Sequence, residues 1–217
     1  IDHVPELAIA DILGSTEGGM GQSIMTKDTP ASETAKFTLL PVAKVLVPDG
    51  SREVVPGSGE VGMVAQGGMV PLGYYKDPEK SAKTFKEVDG KRYAFIGDMA
   101  TVEADGTINL LGRGSNCINT GGEKVFPEEV EEALKLHADV ADALVFGLED
   151  ERFGNRVAGV VSLEQGGAAE AGDILEATRK LLASYKLPKD LLVVPVVPRA
   201  PNGKADYKTA KSMMAGN

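Results

Sequence analysis

The amino-acid sequence predicts an α+β protein composed of two dissimilar halves. Residues 1–112 are rich in glycine and proline, and their short apolar runs are typical of strands joined by turns. The residues after this half and a connecting stretch instead alternate amphipathic stretches of helical spacing with apolar, strand-like runs. The stretch between the halves, residues 112–131, shows no apolar periodicity until its last few residues. We therefore predict a connector there.

The composition is that of an ordinary soluble globular protein, with 42% hydrophobic and 25% charged residues. No apolar run approaches the roughly 20 residues that a membrane-spanning helix needs. A net charge of −9 argues against nonspecific binding of nucleic acid or of an anionic membrane surface as the main function. The sequence starts without methionine or a signal-like segment, so we expect it to be the interior of a longer chain.

Cysteine and histidine are too scarce to build most metal sites. The single cysteine, Cys117, excludes an intrachain disulfide and a site built on paired cysteines. Free thiols are typical of reducing compartments, and we therefore expect a cytoplasmic protein. Two histidines, His3 and His137, cannot form a histidine-rich zinc site, and His137 is expected to be a helix-end residue.

A glycine-rich stretch follows the first predicted strand, residues 7–13. Residues 14–19 read Gly-Ser-Thr-Glu-Gly-Gly, and small residues in a loop after a strand let backbone approach a ligand closely. The hydroxyl of Thr16 can donate to a phosphate oxygen, and the carboxylate of Glu17 can hold a hard cation such as Mg²⁺. Taken alone, the composition of this stretch favours the alternative, an ordinary glycine-rich turn.

Two polar side chains stand near the ends of later predicted strands. Asp98 lies in the alternating strand over residues 93–100, where its carboxylate oxygens can accept hydrogen bonds from a vicinal diol. The Asp-Gly pair at residues 105–106 predicts a tight hairpin into the next strand. Arg113 follows that hairpin, and its planar guanidinium can reach ribose or phosphate oxygens. The alternatives are a capping aspartate and a surface salt bridge.

The remaining elements are predicted from periodicity and turn signals. In the first half, strands are predicted over residues 42–47 and 61–65, and Asp77 with Pro78 predicts the start of a helix. In the second half we predict, in chain order, a tight turn at 120–123, a helix over 127–137 with Val130, Ala133 and Leu134 as its apolar stripe, a strand over 140–147, a charged loop over 149–156, a strand over 157–163, a helix capped by Asp173 and extending to Leu182, and an edge strand over 191–197 that contains Pro195.

Lys204 is predicted to lie at the exposed tip of a turn formed by Pro-Asn-Gly-Lys at residues 201–204. A lone lysine in a turn is usually a solvated side chain. The residues by themselves therefore assign Lys204 no role.

Residues 112–131 read GRGSNCINTGGEKVFPEEVE, and this segment resembles the hinge and the thioester-forming loop of the adenylate-forming enzymes. These enzymes include acyl-CoA synthetases, peptide-synthetase adenylation domains and luciferases. The segment is most similar to actinobacterial fatty-acid and steroid-side-chain CoA ligases. The resemblance covers essentially the whole chain. It implies that residues 1–112 are the β-rich tail of the large adenylation domain, 113–116 a hinge, and 117–217 a small α+β lid domain.

The resemblance also implies roles for individual residues. It implies a catalytic role in adenylation for Lys204, a metal contact for Glu17 and hinge movement at Ser115. It also implies that the loop of Gly121, Gly122 and Glu123 lines the tunnel for the pantetheine arm of CoA. The residues implied to contact the nucleotide are Gly14, Ser15, Thr16, Asp98 and Arg113. Two positions depart from the family pattern. Leu13 replaces the aromatic residue that often lies against adenine, and Ser115 replaces the usual hinge Asp or Lys.

The reaction that the resemblance implies has two steps and uses ATP, Mg²⁺ and CoA. A carboxylic acid reacts with ATP to give an acyl-adenylate and pyrophosphate, and the thiol of CoA then displaces AMP. The implied partners are the small-molecule acid, ATP, CoA and the missing N-terminal domain of the parent chain. The family's Ser-Gly-Thr-Thr-Gly phosphate loop does not occur in the 217 residues, so we expect this piece alone to have little ligase activity.

Two alternatives to a CoA ligase remain open. One is the same chemistry with a carrier-protein thiol as the acceptor. The other is a non-catalytic binding module that retains the motifs.

Overall fold

The computed structural model describes residue 4, residues 6–28 and residues 36–215 of the 217-residue chain, and His3 lies outside them. Contacts divide the chain into two compact units, Ile1–Gly114 and Ser115–Asn217. The division falls inside residues 113–116, where the sequence predicts a connector. Each unit has a hydrophobic core of its own, as expected of a separate domain. In the part of the chain that is described, no helix is long and apolar enough to span a membrane.

Among the described residues, the first unit is built on an antiparallel sheet of eight strands. The strands are β1 (Ile9–Ser15), β2 (Gly18–Met25), β3 (Lys36–Leu39), β4 (Ala43–Leu46), β5 (Gly62–Gln66), β6 (Phe85–Val88), β7 (Lys91–Val102) and β8 (Ile108–Arg113). Their spatial order is β1-β2-β3-β8-β7-β5-β4, and β6 pairs with β7. Helix α1 (Pro78–Thr84) precedes β6.

The core of the first unit collects apolar side chains from neighbouring strands of this sheet. Met20, Val64, Ala100 and Ile108 have 0% exposure and belong to one cluster. They meet because each strand directs alternate side chains to the same face of the sheet.

Most elements predicted for the first unit are confirmed. The strands predicted over 42–47, 61–65 and 93–100 correspond to β4, β5 and β7. Helix α1 begins as predicted, since Asp77 Oδ1 accepts a hydrogen bond from the backbone N–H of Lys80 at 3.0 Å.

The predicted loop over residues 14–19 is shorter than expected. β1 continues to Ser15 and β2 begins at Gly18, so only the two residues between them form the turn. Gly18 has a φ of +145°, and a Cβ there would lie 2.2 Å from Nε2 of Gln66. Glycine therefore lets the side chain of Gln66 lie against the backbone at this position, and a larger residue would force that side chain to move.

Within residues 115–215, the second unit contains a short hairpin, a three-stranded sheet and three helices. The elements are β9 (Ile118–Thr120), β10 (Glu123–Val125), α2 (Pro127–Lys135), β11 (Val140–Asp150), β12 (Gly154–Leu163), α3 (Ala171–Thr178), β13 (Asp190–Val193) and α4 (Tyr207–Ala215). The sheet order is β11-β12-β13, with β11 antiparallel and β13 parallel to β12.

This sheet is covered by helices on both faces. Alternate residues of a strand point to opposite faces, and β11 supplies both cores. Val145 clusters with Val130 of α2 and Ile174 of α3, whereas Leu144 clusters with Ala210 of α4. The predicted apolar stripe of α2 is confirmed as the buried face of that helix.

Helix α3 differs from its prediction at both ends. Asp173 is not the N-cap, which is Glu170. Asp173 lies in the first turn instead, and its carboxylate accepts a hydrogen bond from the N–H of Glu170 at 3.2 Å. The helix ends at Thr178 and not at Leu182, because the N–H of Leu181 bonds to the carbonyl of Thr178 at 2.9 Å, in the tighter pattern of a 3-10 turn.

The prediction of a charged loop over residues 149–156 is wrong in its extent, because the loop is shorter than predicted. β11 and β12 pair through most of this stretch and leave a turn of three residues. Asp150 closes the turn, since its Oδ1 accepts hydrogen bonds from the N–H groups of Arg152 at 3.0 Å and Phe153 at 2.9 Å.

The end of the chain also differs from the prediction. The strand predicted over 191–197 stops at Val193, before Pro195, which has no N–H to donate to a ladder. This strand lies at the sheet edge, as predicted. Helix α4 was not predicted. Its capping residue, Asp206, accepts a hydrogen bond from the N–H of Thr209 at 3.1 Å.

Leu134→Ala is expected to lower the free energy of unfolding by about 2–5 kcal/mol, because Leu134 has 0% exposure and truncation leaves a cavity. Leu136 is 46% exposed and provides the matched control, for which alanine is expected to cost less than about 0.5 kcal/mol. Urea unfolding followed by far-UV circular dichroism measures both changes. Equal effects would contradict the burial of this face of α2.

Candidate functional site

Asp98 and Arg113 form an ion pair between neighbouring strands of the first unit. β7 places Asp98 directly opposite Arg113, the last residue of β8. Nε of Arg113 lies 2.8 Å from Oδ1 of Asp98, and Nη1 of Arg113 donates to the carbonyl of Ile96 at 2.8 Å. The side chain of Asp98 is 11% exposed and that of Arg113 49% exposed. A carboxylate and a solvent-facing guanidinium are thus held side by side, an arrangement that suits hydroxyl and phosphate oxygens.

Glu17 lies in the two-residue turn between β1 and β2, where Tyr74 holds it from the segment before α1. The hydroxyl of Tyr74 donates to Oε1 of Glu17. This hydrogen bond lowers the pKa of Glu17, with a smaller contribution from Ser15. Glu17 therefore presents an ionised carboxylate whose orientation is fixed by an aromatic side chain 57 residues away.

The other residues predicted to approach a phosphate lie around the same turn. Gly14 and Ser15 end β1, and Thr16 begins the turn. Oγ of Ser15 accepts a hydrogen bond from the N–H of Glu17 at 3.1 Å, whereas Thr16 is exposed. The turn and the Asp98–Arg113 pair belong to one sheet, in which β2 and β3 separate β1 from β8.

Lys204 lies at the tip of a closed turn in the second unit. The N–H of Ala200 donates to the carbonyl of Lys204 at 2.8 Å, and the N–H of Gly203 donates to the carbonyl of Ala200 at 2.8 Å. The lysine is exposed, and its ammonium makes no ion pair with any residue that the structure describes. A defined turn therefore presents a solvated cation.

Gly121 and Gly122 form the two-residue turn of the β9–β10 hairpin. Their φ values of +59° and +90° favour glycine and are typical of the tightest hairpins. The N–H of Gly121 donates to the carbonyl of Phe153 at 3.0 Å, and a Cβ on Gly121 would lie 3.2 Å from the ring of Phe153. Glu123 follows the turn and is exposed. The hairpin tip is narrow, and one aromatic ring lies against it.

A group of polar side chains surrounds the start of the second unit. Asn116, next to the predicted hinge residue Ser115, donates to Oε1 of Glu128 at 3.3 Å and to the hydroxyl of Tyr207 at 3.4 Å. Glu131 of α2 accepts a hydrogen bond from the N–H of Val145 at 2.8 Å. Burial raises the pKa of Glu131 to about 7 and also raises the pKa of Tyr207. Tyr207 is therefore uncharged at neutral pH, whereas Glu131 is about half ionised there.

Cys117 borders a cleft of about 300 Å³ in the second unit, together with Asn119, Phe146 and Lys211. Burial raises the pKa of its thiol. The thiol is therefore protonated at neutral pH and is a poor nucleophile.

Residues 129–204 match the family of the AMP-binding enzyme C-terminal domain. The match runs from α2 to Lys204. The chain is also 46% identical over 214 residues to 3-oxocholest-4-en-26-oate–CoA ligase of Rhodococcus rhodochrous. This alignment covers 97% of this chain and 38% of that protein. Residues 129–204 of the chain are an AMP-binding enzyme C-terminal domain. The resemblance inferred from residues 112–131 is confirmed.

Another relative and two solved structures are also similar to this chain. Medium-chain acyl-CoA ligase Mig of Mycobacterium avium is 46% identical over 212 residues, covering 97% of this chain and 38% of that protein. The chain thus spans about 38% of the length of these two relatives. Amide bond synthetase McbA from Marinactinospora thermotolerans superposes with a TM-score of 0.80 at 25% identity, covering 94% of this chain and 42% of that one. ATP-bound MatB from Rhodopseudomonas palustris superposes with a TM-score of 0.75 at 27% identity, covering 93% of this chain and 39% of that one.

Three residues beside the candidate site were missed by the sequence analysis. Tyr74 and Phe153 contact motifs far away along the chain, so no local spacing could connect them to Glu17 or Gly121. Glu131 belongs to an acidic run that a sequence alone cannot divide into buried and solvated members. A signal was present for it, since it lies at helical spacing from the apolar Leu134.

Glu131→Gln is expected to reduce the pH dependence of stability. The folded state raises the pKa of Glu131 to about 7, above the roughly 4.3 of an unfolded chain, so its contribution is present below about pH 4 and is lost as the pH rises through about 7. Glutamine stays neutral and keeps an acceptor for the N–H of Val145. Between pH 5 and pH 8, the free energy of unfolding of the wild type should fall by about 2–3 kcal/mol relative to that of the variant.

Urea unfolding of both proteins at pH 5 and pH 8, followed by circular dichroism, measures this difference. Glu132→Gln is the control on the same helix, because Glu132 is partly exposed and pairs with Lys135 at the surface. A pH dependence that is the same in Glu131→Gln and in the wild type would show that Glu131 keeps its charge in the fold.

Proposed function

We propose that this chain is the C-terminal part of an ATP-dependent acyl-CoA synthetase. The relatives that align with 97% of the chain carry the names of CoA ligases, and this supports the reaction class. The observation that carries the proposal is the position of Lys204. It is an exposed cation on a hydrogen-bonded turn, at the last residue of the matched C-terminal domain.

In the first step, the carboxylate of the acid attacks the α-phosphorus of ATP and pyrophosphate leaves. The ammonium of Lys204 stabilises the negative charge that gathers on the phosphate in the transition state. Asp98 accepts hydrogen bonds from the ribose hydroxyls, and Arg113 donates to a ribose or α-phosphate oxygen. Residues 14–16 approach the α-phosphate through small side chains and hydroxyl groups.

Glu17 is the residue that would hold Mg²⁺. Magnesium prefers oxygen ligands and is typically held by one or two carboxylates together with substrate phosphates. Glu17 fits this requirement, because its pKa is lowered and Tyr74 fixes one of its oxygens. When bound, the ion would offset the charge of the phosphates.

In the second step, the thiol of CoA attacks the acyl carbonyl and AMP leaves. The turn of Gly121 and Gly122 has no side chains, so a narrow pantetheine arm can pass beside it, and Glu123 borders the same loop. We place movement at Ser115, in the segment where the two units divide. Rotation there brings Lys204 to the reaction for the first step and the glycine turn for the second.

The proposed acid is a fatty acid or a steroid side-chain acid. One relative is named for 3-oxocholest-4-en-26-oate, and another for medium-chain acyl groups. The acceptor is proposed to be free CoA, and transfer to a phosphopantetheinyl carrier protein in preference to CoA would overturn that part of the proposal.

In the full-length parent enzyme, Lys204→Ala is expected to slow carboxylate-dependent ATP–pyrophosphate exchange by roughly 10²–10³-fold, the cost of removing a well-placed charge. Lys208→Ala is the control, since Lys208 is an exposed lysine four residues further along. The isolated chain is expected to show no exchange above background. Unchanged exchange in Lys204→Ala, or robust exchange by the isolated chain, would contradict the proposal.

Gly121→Ala in the same enzyme is expected to slow the conversion of pre-formed acyl-adenylate and CoA to the thioester by roughly 10–100-fold. The added Cβ would lie 3.2 Å from the ring of Phe153 at a φ of +59°, so the ring or the hairpin tip must shift. Gly166→Ala has a comparable φ of +89° with nothing within 4 Å, and is the matched control. Exchange of pyrophosphate should stay unchanged, and an equal loss in both half-reactions would argue against a role confined to the second step.

A further inference from the structure

The turn that carries Lys204 is closed at its base by an isolated bridge between Arg199 and Ala205. The N–H of Asp206 donates to the carbonyl of Pro198 at 3.2 Å, just outside this bridge. The tip residues Pro201, Asn202, Gly203 and Lys204 are all exposed. The position of the lysine therefore depends on what holds the base of the turn.

The side chain of Arg199 connects this base to the sheet of the second unit. Nε of Arg199 donates to Oδ2 of Asp142 at 2.8 Å, and Nη2 donates to Oδ1 at 2.7 Å. Asp142 lies near the start of β11, where its Oδ1 also accepts a hydrogen bond from the N–H of Ala143 at 2.9 Å. Two parallel hydrogen bonds between a guanidinium and a carboxylate define both a distance and a plane, which a single contact does not.

The two ends of the segment are held in different ways. After the turn, the chain enters α4, where Ala210 is fully buried and anchors the helix to the sheet. Before the turn, Val197 is buried, but Pro198, Arg199 and Ala200 are at least partly exposed. Beyond buried Val197, the ion pair to Asp142 restrains the segment that enters the turn.

We propose that the Arg199–Asp142 pair is a positioning element for Lys204, which places the ammonium for the adenylation step. The inference rests on the proposed function of Lys204 and adds two residues that act through it. Neither residue needs to touch the substrate. Loss of the pair leaves the second unit folded but lets the lysine turn move.

The experiment uses Asp142→Asn in the full-length parent enzyme. Asparagine keeps the size of the side chain but removes the charge and one of the two acceptors. We expect kcat for carboxylate-dependent ATP–pyrophosphate exchange to fall about tenfold, with KM for ATP within about twofold, because a misplaced group loses rate more than binding. Conversion of pre-formed acyl-adenylate and CoA to the thioester should stay within about twofold of the wild type. Asp142→Glu keeps the paired oxygens and should recover most of the exchange rate.

Asp190→Asn is the matched control, because the second unit contains a second Arg–Asp pair of similar exposure. Nε of Arg156 lies 2.6 Å from Oδ2 of Asp190, with side chains 36% and 42% exposed against 36% and 30% for Arg199 and Asp142. This variant should leave pyrophosphate exchange unchanged. In the 217-residue chain, amide hydrogen exchange at Ala200 and Gly203 should accelerate in Asp142→Asn and not in Asp190→Asn.

The outcomes separate this inference from the proposed function. Loss of pyrophosphate exchange in Lys204→Ala but not in Asp142→Asn overturns the positioning role alone. Unchanged exchange in Lys204→Ala overturns both. Equal losses in the two half-reactions of Asp142→Asn, or equal losses in Asp142→Asn and Asp190→Asn, show a general structural effect and overturn the positioning role.

Discussion

The second unit depends on the long antiparallel pairing of β11 with β12. The central residues of both strands are buried, because α2 and α3 cover one face of the sheet and α4 covers the other. The pairing also anchors the polar features of the unit. Asp142 lies at one end of β11, Val145 donates to Glu131 from its middle, and the turn that follows places Phe153 beside Gly121. A rigid, apolar ladder thereby gives defined positions to side chains that have few contacts of their own.

Three of the candidate functional groups share one kind of support: each lies in a short turn closed by paired strands or by an isolated bridge. Glu17 is in the turn between β1 and β2, and Gly121 is in the turn between β9 and β10. Lys204 is in the turn closed by the bridge at Arg199. Such turns expose a side chain while the ladder restrains the backbone, so that a charged group keeps its position without being buried. This arrangement suits a reaction in which charge develops on a phosphate and must be met by a pre-positioned cation.

Local signals in the sequence were sufficient for much of the fold. The cap at Asp77, the apolar stripe of α2 and the glycine turn at 121–122 depend on neighbours within four residues, and all are found in the structure. The missed helix α4 is a case in which a longer-range interaction decides the outcome, because it gains its stability by covering the far face of the sheet. The overlong charged loop is a local error, because Asp150 closes the turn through N–H groups two and three residues further along. A sequence signal existed for α4, since Asp206 precedes Tyr207, Ala210 and Met213 at helical spacing.

The same distinction applies to the candidate site. Residues that carry a family motif were identified from the sequence, whereas the residues that orient them were not. Tyr74 and Phe153 contact Glu17 and Gly121 across distances in the chain at which spacing carries no information. Their selection required coordinates, because a hydrogen bond between two strands or a ring against a turn is set by tertiary packing.

Cys117 gives the protein an intrinsic reporter. It is the sole sulfhydryl among 217 residues, it lies two positions after Ser115, and it is partly covered within its own unit. The rate at which an alkylating reagent modifies a shielded thiol measures how often the cover opens. Labelling kinetics at this one sulfur atom can therefore time the loosening of the segment around the junction without any engineered probe.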